Sequence, residues 1–161
     1  MLIDQVLEGR QDLALVADPP KDPRLEITPV FEETLVLVSD SLHKAIGNPM
    51  DLGPKPTLLG FSARCAYRTR LTEWIAGADQ VPKVVEINSY HALLNCVTAG
   101  MGVGLIPEKL LDFYPFKDGL KIHALPDHIQ KTTTSMIWRK DSVKPSLKAF
   151  AEILSKASNC R

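Results

Sequence analysis

Two periods of apolar residues run along this chain, and the switches between them mark its elements. Residues 88–107 carry the clearest signal. Just before them, Lys83, Val84, Val85, Glu86 and Ile87 form a short β-branched run that predicts a strand. Asn88 and Ser89 then offer N-cap side chains. Tyr90, Leu93, Leu94, Val97 and Met101 recur at the spacing of one buried helical face. Gly100 and Gly102 predict its end, because glycine accepts the left-handed conformation without steric cost. Val103 to Ile106 reads as a buried strand, and Pro107 suits the first turn of another helix. Strand, helix, glycine turn, strand and helix make a parallel α/β unit.

The same reading extends to both ends. Leu2, Ile3, Val6 and Leu7 form an apolar helical stripe closed by Gly9, and residues 12–16 form a strand. Asp18 to Pro23, with three prolines, is a rigid loop. Residues 25–30 and 35–38 predict two strands, 39–44 a short helix, and 48–56 a loop. Residues 58–61 are strand-like and Ser62 opens a helix. Its apolar face is Tyr67, Leu71, Trp74, Ile75 and Ala78. Residues 108–113 continue as helix. Leu120, Ile122 and Ala124 alternate with Lys121 and His123, the pattern of a half-buried strand with its apolar residues inward. Residues 132–139 predict a strand. Leu147, Phe150, Ala151 and Leu154 mark a last helix. The aromatic group Phe113, Tyr114 and Phe116 is expected to close a core.

Composition adds exclusions. A chain of 161 residues with 45% hydrophobic and 24% charged positions is ordinary globular protein. Nineteen basic residues balance nineteen acidic ones, which argues against a nucleic-acid surface within this chain. No apolar run reaches bilayer length, and the start lacks the basic and apolar regions of a signal peptide. Cys65, Cys96 and Cys160 are odd in number and far apart, so neither a disulfide framework nor a zinc site is expected. A cytoplasmic location follows as the default.

Two places share one geometry that bears on chemistry. The strand ending at Gly60 and Phe61 leads into a helix expected to start at Ser62. The strand ending at Ile87 leads into one starting at Asn88 or Ser89. In parallel α/β sheets, ligands sit beyond the carboxyl ends of the strands. Each helix start offers unpaired N–H groups and partial positive charge, so the pair favours an anion, with Arg64 as a cation on the rim. The plainer alternative is that Ser62, Asn88 and Ser89 cap their own helices and Arg64 is solvated. Arg68 and Arg70 read as a solvated helix face. The four histidines show no metal spacing, and a Cys65–His91 pair lacks an orienting third group, so no catalytic residue, metal or cofactor is expected.

The run Asn95-Cys96-Val97-Thr98-Ala99-Gly100-Met101-Gly102-Val103-Gly104-Leu105-Ile106-Pro107 resembles the signature "lVaaGlGiallP" of LysR-type transcriptional regulators, in their effector-binding domain. Gly9-Arg10-Gln11-Asp12-Leu13-Ala14-Leu15-Val16 is similar to their "G-x-x-Dlalv" strand. Phe31-Glu32-Glu33-Thr34-Leu35-Val36-Leu37-Val38 looks like their "eeLvlv" crossover strand, and Trp138-Arg139-Lys140 like their closing segment. The four pieces occur in the family's order and cover nearly the whole chain.

The resemblance implies a two-lobed α/β fold of the type II periplasmic-binding-protein kind. Lobe I would comprise residues 1–38 and 136–161, and lobe II residues 39–135. It implies that the family's DNA-binding helix-turn-helix and a first strand-helix-strand of lobe I, roughly 30 residues, precede this sequence, leaving lobe I incomplete here. It implies a small effector between the lobes, contacting Ala17, Asp18, Gly60, Phe61, Ser62, Arg64, Asn88 and Ser89. The two helix starts make a carboxylate the expected class. It also implies self-association as a dimer or tetramer through residues 1–8 and 90–99, with DNA bound only by the helix-turn-helix. Cys65 resembles the peroxidatic cysteine of the family's peroxide sensors, although their resolving cysteine position is Trp74 here. A thiol redox sensor through Cys65 and a solute-binding protein are the alternatives.

Overall fold

The computed structural model of the protein describes residues 2–142 and 144–158. The chain divides into two compact units. Unit 1 comprises Met1–Glu33 and Thr132–Arg161, and unit 2 comprises Thr34–Lys131. Both divisions fall inside long strands, β2 (Leu25–Asp40) and β7 (Lys131–Arg139).

Unit 2 is a sheet covered on both faces. Its other strands are β3 (Thr57–Gly60), β4 (Lys83–Glu86), β5 (Val103–Pro107) and β6 (Leu120–His123). β3 pairs in parallel with β4 and with β5, while β5 and β6 flank β2 antiparallel. Consecutive strand residues point to opposite faces, so one alternating run feeds two cores. Leu35, Leu37, Leu58, Val103 and Leu105 meet Leu71 and Ile75 of α2 (Ala66–Ala76) and Ile129 of α4 (Asp127–Gln130). Val36, Val38, Leu59 and Ile106 meet Leu93, Leu94 and Val97 of α3 (Tyr90–Thr98) on the other face. Fully burying a leucine contributes about 1.5–3 kcal/mol, so these two layers dominate the stability of unit 2.

The α3 stop is built as its glycines require. Gly100 takes φ +74°. Its N–H donates to the Val97 carbonyl and that of Met101 to the Cys96 carbonyl, which is the Schellman pattern. Gly102 then passes so close to Thr57 that a Cβ there would lie 2.4 Å from the Thr57 carbonyl oxygen.

Unit 1 repeats the plan on a smaller scale. β1 (Leu13–Ala17) pairs antiparallel with β7, which also neighbours β2. Val6 of α1 (Leu2–Leu7) packs with Ala14, Leu25 and Ile137. Leu147 and Ala151 of α5 (Pro145–Ser158) pack with Val30, Met136 and Trp138.

Several expectations change. Residues 25–30 and 35–38 are one strand of sixteen residues, and β2 continues through 39–40, where a short helix was expected. Its acidic centre is held by Thr133 Oγ1 donating to Glu32 and Thr134 Oγ1 donating to Glu33. The 48–56 loop contains a 3₁₀ turn, Pro49–Leu52, whose Asn48 cap and Asp51 form a reciprocal capping box. The 108–113 helix is 3₁₀. Met101 lies past the end of α3 and is exposed. β6 departs from its apolar pattern at two positions: His123 is buried and Ile122 exposed, while Leu120 packs against the α3 core. Of the aromatic group, Tyr114 is buried, donating to Asn95 Oδ1, while Phe113 and Phe116 are exposed.

Candidate functional site at the ends of β3 and β4

The register of unit 2 brings Gly60 of β3 opposite Glu86 of β4, so both strands end together. Ile87 N–H donates to the Gly60 carbonyl at 2.8 Å and extends the pairing one step. Phe61 then stacks edge-on against Tyr90, with ring centroids 4.7 Å apart. The two loops leaving the sheet are thereby clamped side by side. From there the chain enters α2 on one face and α3 on the other.

The start of α2 differs from expectation. Ser62 does not open the helix: residues 62–65 form a turn in which Cys65 N–H donates to the Ser62 carbonyl, and the helix begins at Ala66 with Cys65 as N-cap. Cys65 therefore caps the helix rather than lying one turn inside it. The Phe61 carbonyl accepts from Arg68 Nη1 at 2.9 Å, which ties the strand end to α2. α3 starts at Tyr90 with Ser89 as N-cap, as expected. Neither Cys65 nor Ser89 makes a side-chain cap hydrogen bond. Neither cap side chain therefore satisfies the first N–H groups of its own helix, the role that a capping residue usually fills. Ser62, Arg64, Asn88 and Ser89 are exposed, Phe61 is half-buried and Gly60 is buried. Two N-termini flanking one sheet end, lined by hydroxyl and amide groups, form an arrangement suited to an anion.

Arg68 is the residue that sequence reasoning missed. It was read as part of a solvated face. Its side chain is 19% exposed and lies across Gly60, where it bonds the Phe61 carbonyl and pairs with Glu86 at 3.3 Å. Its spacing carried no signal: Arg68 stands eight residues after the strand-ending Gly60, and a Cβ there would meet the Arg68 side chain only in ordinary contact, at 3.5 Å. Arg70 is likewise not a free surface charge. It donates to the carbonyls of His128, Ile129 and Lys131, tying α2 to α4.

In unit 1, Ala17 ends β1 and Asp18 follows at φ +47°, a left-handed conformation that aspartate tolerates better than most residues. Thr132 Oγ1 donates to both Asp18 carboxylate oxygens at 3.2 Å, and Asp18 N–H donates to the Thr133 carbonyl. Cys65 is half-buried on the α2 side of the unit 2 sheet, whereas Cys96 and His91 belong to α3 on the other. Cys160 lies outside the described residues. Among the described residues there is no group of three or more metal-ligating side chains, and no helix is long and apolar enough to cross a membrane.

Residues 1–159 match the family model of the LysR substrate binding domain. The chain belongs to that family. Its curated relatives include the uncharacterized HTH-type transcriptional regulator YusT of Bacillus subtilis (strain 168), 30% identical over 154 residues, covering 94% of this chain and 50% of YusT. The HTH-type regulator YofA of Bacillus velezensis is 32% identical over 156 residues, covering 96% of this chain and 52% of YofA. The chain spans about half the length of these relatives.

Solved structures agree on the fold. The regulatory domain of CcmR from Synechocystis PCC6803, in complex with 2-PG, has a TM-score of 0.80 at 16% identity, covering 97% of this chain and 77% of that one. The effector binding domain of QuiR, in complex with shikimate, has a TM-score of 0.78 at 18% identity, covering 99% and 77%. This LysR-type domain therefore has the type II periplasmic-binding-protein-like α/β fold.

Proposed function

We propose that the chain is the effector-sensing part of a cytoplasmic LysR-type transcriptional regulator, that it performs no catalysis, and that its effector is a small carboxylate. The observation that carries the ligand class is the pair of N-termini without side-chain caps, α2 and α3, set on opposite faces of the sheet where β3 and β4 end in register. A carboxylate there would accept from backbone N–H groups and from Ser62, Asn88 and Ser89, with Arg64 adding charge. Gly60 and Phe61 would supply the floor. The CcmR and QuiR domains, in complex with 2-PG and shikimate, support a small-molecule ligand for this fold. Effector binding would favour one conformation of a self-associated regulator, dimer or tetramer, whose helix-turn-helix contacts DNA.

The test is calorimetry of the natural full-length regulator against a panel of small carboxylates. Each charge-assisted hydrogen bond contributes about 1.5–3 kcal/mol. Ser62→Ala and Asn88→Ala should therefore each weaken the effector that binds by about tenfold or more. Unchanged affinity in both variants would reject this placement of the site. A redox reading has one supporting feature, the half-buried Cys65 at an N-cap. Mass spectrometry after peroxide treatment checks it, and an unmodified Cys65 rules it out.

A further inference from the structure

We infer that neutral His123 is an acid-released latch that holds the segment following β2, residues 41–48, onto the core of unit 2. The imidazole lies on β6, 4% exposed, and joins three stretches of chain. Ile46 N–H donates to its Nδ1 at 3.1 Å. Nδ1 is therefore the acceptor, and the ring proton sits on Nε2, which donates to Ser39 Oγ at 2.8 Å. Ser39, itself fully buried, donates its hydroxyl to the Asp40 carbonyl at 2.9 Å. Every donor of this buried chain has an acceptor, and only the Nε2–H tautomer satisfies all of them.

The latch matters because of what it holds. Ile46 is 3% exposed and packs in the cluster with Leu35, Leu37, Leu105, Leu125 and Ile129. Its backbone N–H is the link between this apolar anchor and β6. A second proton on the ring would go to Nδ1 and point directly at the Ile46 N–H, setting donor against donor. The contact would have to open, leaving a buried amide unsatisfied or carrying Ile46 out of the core.

Burial opposes that second proton, and His43 and Lys121 add to it. His43, on the same segment, has its ring centroid 6.2 Å away, and Lys121 on β6 reaches the His43 carbonyl with its ammonium. The Asp40 carboxylate at the end of β2 accepts from Leu42 N–H. Asp51, further along, accepts from Gly47 and Asn48 N–H, and these two bonds hold its carboxyl below the ordinary 3.8. Burial first, then His43 and Lys121, hold His123 below the ordinary imidazole value of 6.5. The sign follows. The unfolded chain takes up the proton before the folded one, so the latch contributes fully above 6.5 and weakens as pH falls toward the shifted midpoint. Asp51 fails only below the ordinary carboxylate value, so the two do not overlap.

The experiment is a titration of the 161-residue chain from about pH 8 to about pH 5, following imidazole ¹⁵N shifts and the protection factor of the Ile46 amide. The expected result is the Nε2–H tautomer at neutral pH and a midpoint below 6.5. Ile46 protection should fall by up to about tenfold per pH unit between 6.5 and the ring's own midpoint. His123→Asn keeps an acceptor near the Nδ1 position without a titrating ring and should give flat protection. Ser39→Ala removes only the Nε2 partner and should keep the step. An Nδ1–H tautomer, or the same step in His123→Asn, overturns the inference. If His123→Asn does not fold, Ile46 protection that stays flat between 6.5 and the ring's midpoint in the parent chain overturns it equally.

Discussion

The two units answer one problem with unequal means. In both, a sheet lies between helices, and alternate strand residues feed two separate cores. Among the described residues, the two clusters of unit 2 hold ten and nine buried side chains, and those of unit 1 five and four. β5 in unit 2 is buried over four consecutive residues, whereas β1 in unit 1 has a single buried residue, Ala14, and a Leu15 that is 40% exposed. Since buried apolar area supplies most of the stability, unit 2 should be the better protected of the two. The residues proposed for effector binding lie mainly on the more stable unit, where a rigid sheet end can hold two loops in register.

The hardest test of this comparison removes equal amounts of core from each side. Leu58 in unit 2 and Ile137 in unit 1 are both fully buried. Leu58→Ala and Ile137→Ala should each cost about 2–5 kcal/mol. Hydrogen exchange read by mass spectrometry should then separate them. Ile137→Ala should release β1, β7 and α1 while β3 and β5 stay protected. Leu58→Ala should lower protection first in β3, β4 and β5. Equal loss everywhere in both variants would mean that the chain unfolds as one cooperative body, and the contrast would fail.

Glycines sharpen the comparison at smaller scale. Gly102 in unit 2 has φ +157°, and an added Cβ would meet backbone, the Thr57 carbonyl oxygen, at 2.4 Å. Gly9 in unit 1 has φ +73°, and its Cβ would meet only the tip of the Arg139 side chain, at 2.8 Å. An arginine tip can swing away and a strand carbonyl cannot. Gly102→Ala should cost at least about 1–3 kcal/mol in strain alone, with the overlap added to it. Gly9→Ala should cost about 1–2 kcal/mol, the price of a left-handed alanine. Thermal unfolding of the two variants checks the order, and a reversed order would show that the β3–β5 contact is softer than its geometry.

Much of this architecture was legible because it is local. The β4–α3–β5 unit could be read from its β-branched run, its helical period and its glycines, and the family resemblance rested on that stretch. What failed depended on partners far along the chain. His123 looked like the polar side of a half-buried strand, and its inward place rests on Ser39, 84 residues away, and on Ile46. Glu32 and Glu33 looked like an interruption between two strands, and threonines 101 residues away make them part of one. At the candidate site, the strand ends and the α3 start were visible. The four-residue delay before α2 was not, and neither was the bond that Arg68 makes back to Phe61 from within the helix.

The aromatic segment after β5 offers the smallest and most local contrast. Tyr114 is 4% exposed, and its hydroxyl donates to Asn95 Oδ1 at 2.9 Å and lies 3.2 Å from Thr98 Oγ1, joining the segment to α3. Phe113, its neighbour, is 84% exposed and has no comparable attachment to the α3 core. Tyr114→Phe keeps the ring in the core and removes only the hydroxyl, so it should cost about 0.5–1.5 kcal/mol. Phe113→Ser, on an exposed side chain, should stay within about 0.5 kcal/mol of the parent chain. Urea unfolding monitored by circular dichroism can resolve the two. A larger cost for Phe113→Ser than for Tyr114→Phe would show that Phe113 is covered in solution, and that the apolar surface beside α3 belongs to an interface rather than to solvent.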